Sequence, residues 1–114
     1  MKKIVMVGPR KSKIVETDIP RINDNQILVK VKYTGMCHSE WYPWSTAQGG
    51  EEFGHETMGY VADVGKNVVG FKTGDRVTGL GGGGYREYIV MEPDKTKVLY
   101  ASTCNINSGF DKRR

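Results

Sequence analysis

Three residues of this 114-residue chain have side chains whose types together could hold a metal ion: the thiol of Cys37, the imidazole of His55 and the carboxylate of Glu56. Borderline-soft zinc accepts sulfur, nitrogen and oxygen donors together, and a catalytic zinc site uses three protein ligands while keeping a fourth position for water or substrate. His55 and Glu56 stand side by side in "GHETMGYVADVG", residues 54–65, with a glycine before the pair and an apolar run after it. Cys37 sits in "GMCHSEWYPW", residues 35–44. The residue types fit a metal site. Spacing alone leaves a plainer arrangement open, because a lone cysteine packs as a small buried hydrophobe and a histidine at a strand start is often only hydrogen-bonded.

The elements that must position these residues read as short strands. Fifteen glycines, with Val and Ile recurring in alternating runs, favour an all-β reading, and no window sustains a helical period for three turns. Residues 3–8 and 13–18 are expected to form a hairpin whose turn contains Pro9 and Lys11, followed by a loop broken by Pro20 and the Asn-Asp-Asn run. Residues 26–35 alternate, with Leu28, Lys30 and Lys32 on one face and Ile27, Val29, Val31 and Tyr33 on the other, predicting a half-buried strand that ends beside Cys37. Ser39 is the expected N-cap of one short helical turn, which Pro43 stops or bends. Further strands are expected at 57–65, in a hairpin corner over 68–80 that turns at "TGD", at 85–91 and at 97–100. After Tyr100 the chain has no period and reads as a polar tail, residues 101–114. Six or seven short strands suggest a small barrel or sandwich.

Composition narrows the function. The length suits one domain with a modest core. The net charge of +4 comes from 17 basic against 13 acidic residues, part of the excess being Lys112, Arg113 and Arg114 at the end, which is no nucleic-acid footprint. Cys37 and Cys104 are the only cysteines, without a CxxC or a disulfide framework. The opening "MKKIVMVGPR" has too short an apolar run for a signal segment, and no stretch approaches a membrane span, so a cytoplasmic setting without membrane or nucleic-acid partners is expected.

A longer match surrounds the His–Glu pair. The run "GHE", Gly59, Gly65 and Val68 resembles the signature of zinc-containing alcohol dehydrogenases of the medium-chain dehydrogenase/reductase family. "FKTGDRV" at 71–77 and "GGYREYIVMEPDK" at 83–95 resemble the landmarks that follow it, and "GMCHSEWYPW" is similar to the segment that supplies the first ligand in alcohol and polyol dehydrogenases. The resemblance implies a mainly β, GroES-like partly open β-barrel with one or two short helical turns over residues 1–100, the catalytic domain that precedes a Rossmann domain in such enzymes. It implies Cys37 and His55 as Zn2+ ligands, with Glu56 ligating directly or when the site exchanges ligands. It further implies Ser39 as the hydroxyl that takes the alcohol proton, Glu40 as the carboxylate orienting His55, and His38 near the cofactor phosphates. The implied substrate is a small alcohol or polyol, oxidised with NAD or NADP in the complete enzyme.

Departures from the pattern are equally visible. The fourth ligand and the G-x-G-x-x-G turn of the family lie beyond residue 114, and "GLGGGG" at 79–84 joins antiparallel strands and opens no helix. A Rossmann domain is therefore not expected within this sequence, and the isolated chain is expected to be inactive and to self-associate through the face that domain covers. The four-cysteine lobe is missing, so no second zinc is expected, and Tyr42 stands where relatives have a relay histidine. Cys104 matches no family ligand. Trp41 and Trp44 either wall a substrate cleft or pack under the loop. The alternative is a non-enzymatic GroES-like binding module or a zinc-free quinone-reductase-like relative, against which the pairing of Cys37 with His55 argues.

Overall fold

A computed structural model describes residues 1–80, 83–93 and 98–100. Strands β1 (Lys2–Gly8) and β2 (Lys11–Glu16) form a hairpin, and β3 (Ile27–Gly35), β4 (Glu56–Val64), β5 (Arg76–Leu80), β6 (Tyr88–Met91) and β7 (Val98–Tyr100) form an antiparallel sheet of order β6-β3-β4-β5-β7. Between β3 and β4 lie a 3-10 turn, His38–Glu40, and one short helix, α1 (Trp41–Ser45). The architecture is mainly β, and among the described residues the sheets do not close, as expected for a partly open barrel. Glycines 81 and 82 and the expected tail with Cys104 fall outside the described residues.

The core follows from the alternation of β3. Ile27 and Val29 are fully buried, and pairing sets Val29 opposite Val61 of β4 and Ile89 of β6, and Ile27 opposite Met91. Val77 from β5 completes the cluster, with Val31, Val64, Val68 and Phe71 packed partly buried against it. Each such side chain contributes about 1.5–3 kcal/mol on burial. Together they fix how β3 pairs with β4, which in turn decides what meets at the end of the pair.

Tyr33 departs from the expected buried face. Alternation groups it with Val31, but the register shifts between Val31 and Tyr33, and the ring is 50% exposed. A bulge inserts an unpaired residue, so the side chains beyond it swap faces. The short helical segment also differs. Cys37, and not Ser39, precedes the 3-10 turn, and Pro43 lies inside α1 without ending it, because the missing N–H falls among the first-turn donors that have no helical partner. In the corner before β5 only the second arm is a strand: Asp75 N–H closes the turn on Lys72 O at 3.1 Å, while Val68 and Phe71 pack on the core from loop.

The free edge of β1 binds two other segments. Met6 N–H donates to Glu51 O at 2.9 Å and Ile4 N–H to Tyr85 O at 2.9 Å, so the hairpin braces the loop before β4 and the stretch before β6. At its turn Arg10 adopts φ 58° and donates its N–H to Trp44 O at 3.0 Å, with its guanidinium 5.8 Å from the Trp41 ring centre. No helix among the described residues is long and apolar enough to cross a membrane.

Candidate metal centre

The β3–β4 pairing builds the site. Gly35, the last residue of β3, is registered opposite Glu56, the first of β4. Residues just after one strand and just before the other must therefore share one end of the sheet, and those are Cys37 and His55. The Cys37 sulfur, a His55 ring nitrogen and a Glu56 carboxylate oxygen all lie within 4.8 Å of one another. Cys37 and His55 are half-buried and Glu56 is exposed.

The turn after Cys37 brings two further side chains inward. Glu40 N–H bonds Cys37 O at 3.0 Å, and the turn so formed sets the Ser39 hydroxyl 3.0 Å from the Cys37 sulfur. Glu40 reaches across to the next segment: its Oε2 accepts the Gly54 N–H at 2.7 Å and lies 3.4 Å from His55 Nδ1. Gly54 needs φ 97° to present that N–H, and a Cβ there would sit 2.7 Å from the Thr34 methyl, which explains the glycine.

These contacts shift two ionisations toward each other. Hydrogen bonds from the Ser39 hydroxyl and backbone to the sulfur, aided by His55, hold the Cys37 thiol below its ordinary value despite the opposing effect of desolvation. Desolvation pulls His55 down, but the contacts with Cys37 and Glu40 and their charges outweigh it and raise the imidazole above its ordinary value.

Of the other residues singled out in the sequence, His38 and Tyr42 are exposed, Tyr42 by 74%. Trp41 is 57% exposed and tilts against Trp44 with ring centres 5.3 Å apart, so the two tryptophans divide between solvent and packing. Two contributors are not among the residues singled out in the sequence. Tyr85 N–H donates to Phe53 O at 3.2 Å, and its phenol is raised by burial and by the Glu40 charge. Glu52 pairs with both Lys3 and Arg86. Only the acidic doublet Glu51-Glu52 before "GHE" hints at the latter, since both partners are remote in sequence.

The donors suit zinc. Tetrahedral bonds of about 2.0–2.3 Å place ligand atoms roughly 3.4–3.7 Å apart, so the widest pair must close by about 1 Å, within the reach of side-chain rotation. A shallow hollow lined by Asn25, Asn67, Val68, Val69 and Pro93 lies at the opposite end of the β3–β4 pair and shares no residue with this cluster.

The model of the family "Alcohol dehydrogenase GroES-like domain" matches residues 23–101, and the chain belongs to that family. An L-threonine 3-dehydrogenase of Shewanella sp. (strain ANA-3) is 39% identical over 75 residues, 60% of this chain and 22% of that protein. A sorbitol dehydrogenase of Bacillus subtilis (strain 168) is 37% identical over 84 residues, 68% of this chain and 24% of that protein. The crystal structure of galactitol-1-phosphate dehydrogenase from Escherichia coli superposes with a TM-score of 0.80 at 25% identity, covering 96% of this chain and 40% of that one. The fold is thus the N-terminal GroES-like domain of medium-chain alcohol and polyol dehydrogenases, an NAD(P)-dependent class with zinc in many members. The chain spans about a fifth to a quarter of the length of these curated relatives, 22% and 24%.

Proposed function

We propose that the chain provides the zinc-binding catalytic domain of an alcohol or polyol dehydrogenase. The observation that carries this reading is the convergence of Cys37, His55 and Glu56 with Glu40 behind His55. Zinc held there would supply the Lewis acidity that lowers the pKa of a bound alcohol, while NAD or NADP takes the hydride.

The chain's own residues divide the remaining work. Cys37 offers a thiol that ionises readily, and Glu56 offers a carboxylate from the start of β4. Glu40 engages His55 Nδ1, leaving Nε2 as the donor to the metal. The Ser39 hydroxyl lies 3.0 Å from the Cys37 sulfur, and it would take the alcohol proton as it passes its own proton on, so that the oxygen stays neutral. The proton passed on goes to solvent either through the exposed Tyr42 hydroxyl or through water directly. His38 is assigned to the cofactor phosphates. Residues 1–100 are assigned to the domain, and 101–114, a polar stretch in sequence, lie outside the described residues. With no dinucleotide motif in its sequence, the chain alone is expected to form no NAD(P)H from an alcohol, and to self-associate through a face that a cofactor domain covers in a complete enzyme.

A titration of metal-stripped protein with Zn2+ tests the reading against Cys37→Ser and His55→Ala. Both variants are expected to bind about 10-fold or more weakly. Equal binding by His55→Ala would return the cluster to a hydrogen-bonded polar corner.

A further inference from the structure

We propose that Glu52 is a positioning residue for the metal centre, a clamp whose two ion pairs fix the loop that presents His55. The proposal rests on the reading of Cys37, His55 and Glu56 as a metal site.

Glu52 lies three residues before His55, and its carboxylate is divided between two cations on different segments. Oε1 is 2.9 Å from an Arg86 terminal nitrogen, and Oε2 is 3.0 Å from Lys3 Nζ. The side chains of Glu52, Lys3 and Arg86 are only 28%, 21% and 18% exposed, so the pairs are shielded and have the short geometry of charge-assisted bonds. Lys3 belongs to β1, whereas Arg86 precedes β6, and the two backbones themselves form an isolated bridge. The loop before His55 is bonded to both segments, Glu51 O accepting from Met6 N–H of β1 and Phe53 O from Tyr85 N–H.

An unbroken series of contacts links the clamp to the imidazole. Next to Arg86, Tyr85 N–H holds Phe53 O at 3.2 Å and Gly84 N–H holds Gly54 O at 2.7 Å. Gly54 N–H in turn holds Glu40 Oε2, the oxygen in contact with His55 Nδ1. Arg86 Nε is already buried without a hydrogen-bond partner among the described residues. Removing the Glu52 charge would leave the guanidinium desolvated and uncompensated, a costly state that is relieved by moving Arg86 outward. That movement shifts Tyr85 and Gly84, and with them the backbone beneath His55.

A purely structural clamp would lower stability without touching metal affinity in protein that remains folded. The test is a Co2+ titration of the metal-stripped full chain, read through thiolate-to-metal absorption, for the parent, Glu52→Gln, Arg86→Gln and the double variant. Circular dichroism of each metal-free sample verifies folding at the titration temperature. Glu52→Gln and Arg86→Gln are each expected to weaken binding about 10-fold, and the double variant no further, because either single change already opens the clamp. Parent-like affinity in Glu52→Gln, within about twofold, or losses that add in the double variant, would overturn the clamp while leaving the metal reading intact. A parent that binds no Co2+ would overturn both. Should Glu52→Gln fail to fold, Lys3→Met removes one ion pair only, with an expected loss of about threefold, and unchanged affinity there overturns the proposal equally.

Discussion

Glu40 Oε2 lies 3.4 Å from His55 Nδ1 while accepting the Gly54 N–H at 2.7 Å, so one carboxylate oxygen holds both the imidazole and the backbone that precedes it. Its charge is among the causes that raise the His55 pKa above the ordinary 6.5. Glu40→Gln keeps an acceptor but removes the charge, and His55 is expected to titrate at lower pH. The raised value also fixes a sign for stability. The imidazolium contribution is complete below the unfolded value and is lost as pH rises through the folded one, so metal-free protein should weaken across that window. Proton NMR of the His55 ring, distinguished from His38 by His38→Ala, reads the shift. An unmoved midpoint in Glu40→Gln would show that the contact carries no charge coupling.

The Ser39 hydroxyl, 3.0 Å from the Cys37 sulfur, is the largest cause of the depressed thiol pKa. Thiolate is the reactive form, so alkylation of Cys37 by iodoacetamide should reach its half-maximal rate below the ordinary 9.0 in metal-free protein. A Cys104→Ser background keeps the measurement to one site. Ser39→Ala should move that midpoint upward. If the pH–rate curve is the same with and without the hydroxyl, the sulfur is not held as a thiolate by Ser39.

Metal affinity should rise with pH, because Cys37 must lose its proton and His55 must be neutral to bind. The two shifts act oppositely: the depressed thiol reduces proton competition at sulfur, whereas the raised imidazole prolongs it at nitrogen. Where a proton is displaced, affinity climbs by about 10-fold per pH unit for each proton released. A Zn2+ competition assay at about pH 6 and 8 is therefore expected to show tighter binding at the higher pH, and Glu40→Gln to flatten the rise by lowering the His55 pKa. A pH-independent affinity would mean that neither residue is a ligand.

Strands β3 and β4 were readable because their buried sides repeat Ile27, Val29 and Val61 against an otherwise polar or exposed face. Glu56 and His55 could be placed at a strand start for the same reason. Tyr33 was not readable: a bulge arises from pairing between strands, and no local pattern records it. Ser39 is a better capping residue than Cys37 in isolation, yet the bond from Glu40 N–H to Cys37 O starts the turn two residues earlier. Glu52 was hidden for another reason, since its partners Lys3 and Arg86 lie 49 residues before it and 34 after it and only the completed fold brings them together.

Gly54 joins fold and site, and its replacement separates two costs. Its φ is 97°, and a Cβ would meet Thr34 Cγ2 at 2.7 Å and Tyr85 at 3.0 Å. Gly70 has a similar φ of 90° with nothing within 4 Å. Gly70→Ala should therefore show backbone strain alone, on the order of 1–3 kcal/mol, whereas Gly54→Ala adds displacement of Thr34 and Tyr85 from packed positions and should cost about 1 kcal/mol more. Urea unfolding of the two variants measures the difference. Gly54→Ala should also weaken Zn2+ binding in folded protein, because its N–H holds Glu40 and its carbonyl accepts from Gly84, whereas Gly70→Ala should leave binding unchanged. Equal stabilities and equal affinities for the two variants would mean that the Thr34–Gly54–Tyr85 contact is slack and that His55 is oriented without it.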